Sequence, residues 1–222
     1  MKSMTFPIEA EATIKRRILD VCQGQARTIV DIVRELALMV DSVAEKKGKA
    51  TKTHYEGMLK LIADNDKLRT TFLGEVASVG SFLMSRDDFL RLMFRMSAIA
   101  DYAEALGFRL MGATERSWKL DKKYIQGLSE ILSLVLSEVT RMRETLHSLS
   151  FDSDKAVELS RSVEELERKI DIDSRNLDFE ILSAKLPLQE VLLLRDMVER
   201  AEMIADIGVE VVDLIRVLAL TA

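Results

Sequence analysis

The chain is poor in residues that interrupt helices and in residues that build disulfide or metal frameworks. Two prolines and nine glycines are spread over 222 residues. A many-stranded sandwich or barrel needs a turn about every 8–12 residues and is excluded. The single cysteine excludes a disulfide framework and any cysteine-based zinc site, and it suits a reducing compartment. The only histidines, His54 and His147, are too far apart for HExxH hydrolysis or a histidine-rich metal site. Ser-His-Asp sets, phosphate-cradling glycine loops and dinucleotide fingerprints are all missing. Long apolar runs are missing too. The most apolar stretch, Ile207 to Leu220, is broken by Glu210, Asp213 and Arg216, well short of the ~18 clean residues of a membrane span. Met1 to Arg17 contains no apolar run resembling a signal peptide. A cytoplasmic protein, peripheral to a membrane at most, is expected.

What is present is enough apolar surface for a sizeable core. Apolar residues make up 48% of the chain and charged residues 31%, which excludes a disordered or fibrous polymer. The formal charge of −5 is unevenly placed. Residues 1–118 hold 18 basic and 16 acidic side chains, whereas 119–222 hold 14 and 21. A nucleic-acid binder would show the opposite bias, so no nucleic-acid partner is expected.

Apolar residues recur at three- and four-residue intervals over long stretches, which predicts six helices. The first runs from about Ile8 to Lys46, with Gly48 expected in the left-handed C-terminal position. The second runs from about Lys52 to Phe82. Ser85-Arg86-Asp87-Asp88 reads as an N-cap signature opening the third, which ends near Thr114. The fourth runs from about Trp118 to Leu146, with a join to the third short enough for a nearly continuous helix. The fifth starts in the Ser148–Asp154 linker and ends near Lys185, and Pro187 opens the sixth, which reaches about Leu218. Helices of about thirty residues are about 45 Å long, which points to elongated antiparallel bundles.

The chain also repeats itself. A shift of 107 lays Asp64-Asn65-Asp66 on Asp171-Ile172-Asp173 and Phe72 on Phe179. A shift of 105 lays Arg95 to Asp101 on Arg200 to Asp206. The expected fold is therefore all-α, two tandem antiparallel three-helix bundles related by internal duplication, residues 1–117 and 118–222, spectrin-repeat-like in layout.

Glu167 and Asp171 in the fifth helix, and Glu202 and Asp206 in the sixth, form carboxylate pairs four residues apart. Each pair stacks on one helix face, and Glu164 and Glu199 extend the two stripes by one turn. Like charges at this spacing destabilise a helix by roughly 0.2–0.5 kcal/mol per pair. Two answers are open. Oxygen-only ligands suit a hard or borderline metal ion bridging the two helices. Alternatively Arg168, Lys169, Arg175 and Arg200 lace a solvated face with ion pairs.

These residues resemble the PhoU family of phosphate-transport regulators, and most closely its branch associated with Pit-type phosphate transporters. The resemblance rests on Val163 to Asp171, Arg200 to Asp206, Asp64 with its neighbours, Ser97 to Asp101, and the Lys185-Leu186-Pro187-Leu188-Gln189 stretch. It implies two three-helix bundles that repeat an E(D)xxxD motif, with carboxylates holding multinuclear clusters, commonly of iron or zinc. By that resemblance Glu167, Asp171, Glu202 and Asp206 are the metal ligands, with Glu199 and Glu164 secondary. The first bundle reads Lys60xxxAsp64 and Ser97xxxAsp101, so each motif has lost its leading carboxylate. Asp64 and Asp101 remain as weaker candidates, or as polar positions paired with Lys67 or Arg95.

The implied function is regulation of phosphate homeostasis by binding a membrane phosphate transporter or its signalling proteins, with no catalytic residues. A helical scaffold without a phosphate role is the alternative, and a carboxylate-bridged metalloenzyme a further one. The metalloenzyme would need Glu-x-x-His pairs that the acidic motifs lack. A homodimer fits long amphipathic bundles. Cys22 is expected in the core, His147 as a C-terminal cap, and His54 without a second ligand. Met93, Met96 and Met111 suit irregular core gaps or an adaptable groove. Lys15, Arg16 and Arg17 suit a solvated face or an anionic surface.

Overall fold

A computed structural model describes residues 6–79 and 85–220, with side chains from 13–77 and 85–220. It contains α1 (Phe6–Ala44), α2 (Gly48–Val79), α3 (Arg86–Glu115), α4 (Lys122–Ser148), α5 (Ser153–Leu182) and α6 (Leu188–Leu220). Helices α1–α3 form one antiparallel bundle and α4–α6 another. The halves join along two further antiparallel seams, α1 against α4 and α3 against α6. Arg95 pairs with Glu210 at 2.7 Å across the second seam, and Ser129 hydrogen-bonds Asp41 across the first. One continuous core results, running from Ile18, Phe72 and Phe89 to Val135, Ile170 and Ile204. Burying a large apolar side chain contributes about 1.5–3 kcal/mol, so the shared seams bind the halves strongly.

The helix ends depart from expectation at three places. Gly48 does not close α1. Lys46 takes the left-handed conformation, φ 59°, and the Lys47 amide donates to the Ser42 carbonyl at 2.8 Å. This is a Schellman closure with lysine at the position glycine usually fills, and Gly48 opens α2 instead. The third and fourth helices are not continuous. Ser117 is left-handed at φ 55°, and the Trp118 amide closes onto the Ala113 carbonyl at 3.0 Å. Asp121 then caps α4 by accepting from the Lys123 amide, so the chain reverses direction. Ser85 occupies the N-cap position of α3 but its side chain makes no capping hydrogen bond. His147 lies in the last turn of α4 with its ring against Phe151, centroids 5.0 Å apart. The expected end of the second helix at Phe82 lies outside the described residues.

The repeat has a single register in its outer helices. Phe72 is fully buried while Phe179 is 68% exposed, so the 107-residue shift does not describe equivalent positions. A shift of 105 carries buried Met58, Phe72 and Val76 onto buried Val163, Leu177 and Ile181. The same shift carries Leu92, Met96 and Ile99 onto Met197, Ala201 and Ile204. In α1 and α4 the matching shift is 106, which pairs Cys22, Ile29 and Leu36 with Leu128, Val135 and Met142. Two residues turn a helix by about 200°, so the wrong shift exchanges the inner and outer faces.

Candidate metal centre

The acidic stripes of α5 and α6 face each other and meet a carboxylate from α4. Glu138 sits on the buried face of α4, one turn after Val135 and beside Val139, and is completely shielded from solvent. Neither of its carboxyl oxygens has a hydrogen-bond partner. The head lies against α6 at Gly208, where an added Cβ would stand 2.6 Å from Glu138 Oε1. A glycine is therefore what allows this carboxyl to rest on the α6 backbone.

Burial drives the Glu138 carboxyl well above the usual glutamate range, with the charges of Glu167 and Asp206 adding to the shift. Glu167 is raised by burial, then by Asp206 and Asp171. Asp206 is raised by burial, then by Asp171 and Glu210. Glu202 is pushed up to about 7, by burial first and then by a hydrogen bond with the Asp171 carboxyl. Four carboxyl groups on three helices, Glu138, Glu167, Glu202 and Asp206, are thus held in a field that disfavours their ionisation, with Asp171 among its sources.

Of the four basic residues offered as an alternative, only Arg175 forms an ion pair in the group, with Asp171 at 2.7 Å; its charge also acts on Glu167, Glu202 and Asp206, and that of Arg168 on Glu167. Arg200 is committed to Asp196 through two hydrogen bonds of 2.8 and 3.0 Å. Among the described residues no lysine or arginine pairs with Glu138, Glu167, Glu202 or Asp206. Glu164 is neutralised by Arg216 at 2.5 Å, and Glu199 is exposed beside Arg195 and Arg200. An open cleft of about 470 Å³ between α5 and α6 brings solvent to Glu202 and Arg175. Neither histidine joins the acids: His54 Nδ1 pairs with Glu35 at 2.8 Å, and His147 lies beside Phe151.

The donor set is oxygen-only and includes a buried carboxylate with both oxygens orphaned, which suits a hard cation. Among the described residues no three acidic, histidine or cysteine side chains stand close enough, as oriented, to surround one ion.

In the first bundle the equivalent positions are Ile32, Ile62, Asp66, Ser97 and Asp101. Asp64 lies on the exposed face and pairs with Lys67 at 2.7 Å. Arg95, its other suggested neighbour, is engaged with Glu210. Asp101 is raised by burial, and the opposing charges of Arg69 and Asp66 act on it. Arg69 approaches Asp66 at 3.5 Å and occupies the position equivalent to Ser174.

No family model and no curated protein matches the sequence. Solved structures do. A PhoU-like protein from Shewanella oneidensis MR-1 superposes with a TM-score of 0.81 at 15% identity, over 92% of this chain and 100% of that one. The fold is PhoU-like. A second protein from that organism, a putative PhoU-like phosphate regulatory protein, gives 0.79 at 15% identity with the same coverage. PhoU from Pseudomonas aeruginosa gives 0.65 at 14% identity, over 99% of this chain and 100% of its own. Within this PhoU-like fold Glu138 is the residue that sequence reasoning missed. Its signal was a lone carboxylate interrupting the apolar stripe of α4.

The shifts make the metal-free protein sensitive to alkali. All four raised acids favour the folded state fully only below their unfolded values near 4.5 for glutamate and 3.8 for aspartate. That contribution is lost as pH rises through the folded values, which for Glu202 means through about 7. Denaturant midpoints of metal-free protein should therefore fall between about pH 5.5 and about pH 8, with a flatter fall for Glu202→Gln. Identical slopes for the two proteins would count against the shared field.

Proposed function

We propose that this chain is a regulator of phosphate transport in the cytoplasm. It docks on a membrane phosphate transporter, of the Pit type by the sequence resemblance, or on that transporter's signalling proteins. It is not an enzyme in this reading. The observation that carries the proposal is the buried, unpartnered Glu138 beneath Glu167, Asp171, Glu202 and Asp206, on a fold shared with phosphate regulatory proteins. These five carboxylates are the residues that would hold iron or zinc. A bound cation would add positive charge to a site where Arg175 alone pairs with five carboxyl groups, and so fix the relative position of α4, α5 and α6. Glu167, Glu202 and Asp206 are half-exposed, and holding a cation would require their side chains to turn toward Glu138. No helix of the described residues is long and apolar enough to cross a membrane, which accords with a docking role.

The test is phosphate uptake in the host organism after deletion of the gene, with co-purification from the membrane fraction. Deletion should change uptake. The intact chain should restore it and retain the transporter on purification, whereas the Glu202→Ala, Asp206→Ala double variant should do neither. Unchanged uptake on deletion would overturn the phosphate role. Restoration by the double variant would overturn the part assigned to the carboxylates.

A further inference from the structure

A second site of opposite sign lies at the end of the molecule where the turns leaving α1 and α3 meet. There a cleft of about 630 Å³ opens between the start of α2 and the start of α4. Lys46, Lys47, Lys119 and Lys122 line it with Trp118, and no carboxylate does. Its floor is apolar, formed by Val43 and Ile125 among others. All four lysines are exposed, and the Trp118 side chain is 40% exposed. Acids stand outside the lining: Glu45 is held by Lys47 at 2.6 Å with Lys122 also within its field, and Glu190 lies on the far side of Trp118 and Lys119, accepting from the Asp121 amide. Four lysines, one of them paired with Glu45, thus meet on a protein whose formal charge is −5.

Local structure adds to the imbalance. The first turn of α2 carries no acidic residue and is preceded by Lys46 and Lys47. Positive side chains at a helix N-terminus oppose its dipole, and an anion there relieves that opposition. The residues that aim the rim, Lys46 and Ser117, are the two described non-glycine residues with left-handed backbones.

The volume falls within the range of about 300–1,000 Å³ typical of small-molecule sites, and a lone phosphate would leave most of it empty. An apolar floor with an indole at its edge takes a flat organic ring, while four amines take several negative charges. We propose that this cleft binds a nucleoside di- or triphosphate, its base against Trp118 and its phosphates among Lys46, Lys47, Lys119 and Lys122. The site is separate from the carboxylate centre and does not depend on the function proposed for it.

Trp118 is the only tryptophan, so its fluorescence reports this cleft and the small hollow it shares with Pro187 and Glu190, and the lysine variant below tells the two apart. ATP, inorganic tripolyphosphate and inorganic phosphate are titrated into the full chain at about 0.15 M salt, where loose surface attraction is screened. Calorimetry runs alongside. ATP should quench the fluorescence saturably, and tripolyphosphate should bind at least about tenfold more weakly, since it lacks the ring. The Lys46→Ala, Lys119→Ala, Lys122→Ala variant, checked for native helicity, should lose ATP affinity by at least about tenfold. Absence of saturable ATP binding would overturn the proposal. Equal binding of tripolyphosphate would overturn it by removing the base from recognition, and unchanged affinity in the triple variant would do so by removing the lysines.

Discussion

Metal-free protein titrated with zinc or iron(II) is expected to gain about 8–16 °C in thermal midpoint once free metal exceeds its Kd about a thousandfold. Binding to the folded state alone at that ratio contributes about 4 kcal/mol, and each kcal/mol moves a chain of this size by about 2–4 °C. The direction follows from the carboxylates. Glu138, Glu167, Glu202 and Asp206 are all held above their ordinary pKa values by burial and by one another. A cation reverses both causes, because it favours the ionised form and cancels the repulsion. Proton release should accompany binding and grow as pH falls below about 7, where Glu202 is increasingly protonated. Chelation should return the midpoint to its starting value, and Asp206→Ala should show little response to either treatment. A midpoint indifferent to metal and to chelator would remove the ion from the site.

Glu138→Met is expected to act in two directions at once. Without metal it should raise the midpoint by about 2–12 °C at neutral pH. A buried polar group with no partner costs about 1–3 kcal/mol, and methionine keeps the length of the side chain without a charge to desolvate. With metal present the variant should lose most of the wild-type gain, since it lacks the donor lying deepest between α4 and α6. Glu138→Gln separates the two effects: it keeps an unpartnered polar head, so it should not gain stability, yet it loses the anionic donor. A destabilised Glu138→Met would mean that the carboxyl performs a structural task in the metal-free protein. Melting curves with and without chelator decide between these outcomes.

The six helices were legible because a stripe of period 3.6 survives over some thirty residues. Their boundaries and register were less so. Lys46 ends α1 where Gly48 was expected, because the Schellman bond to Ser42 holds a lysine in a conformation that composition alone assigns to glycine. The Asp64 repeat looked convincing because aspartates two apart match themselves at either shift. Only the burial of Phe72 against the exposure of Phe179 shows that Asp66, not Asp64, stands at the position equivalent to Asp171. Glu167, Asp171, Glu202 and Asp206 could be picked out from i,i+4 spacing within a helix. Glu138 could not, since its neighbours in sequence are apolar and its acidic company comes from two other helices. Convergence across helices is a property of packing, and no local pattern carries it.

Arg69 gives the duplication a further meaning. In the first half a guanidinium fixed in the covalent chain stands beside Asp66 and Asp101, so that arm carries its own counter-charge whatever the surrounding solution contains. The second half has serine at the same place, and its guanidinium, Arg175 one residue on, pairs with Asp171 among five carboxyl groups rather than two. Divergence of two copies has thus left one arm with its acids balanced in place and the other with an excess of them, with the antiparallel seams fastening the balanced half to the unbalanced one.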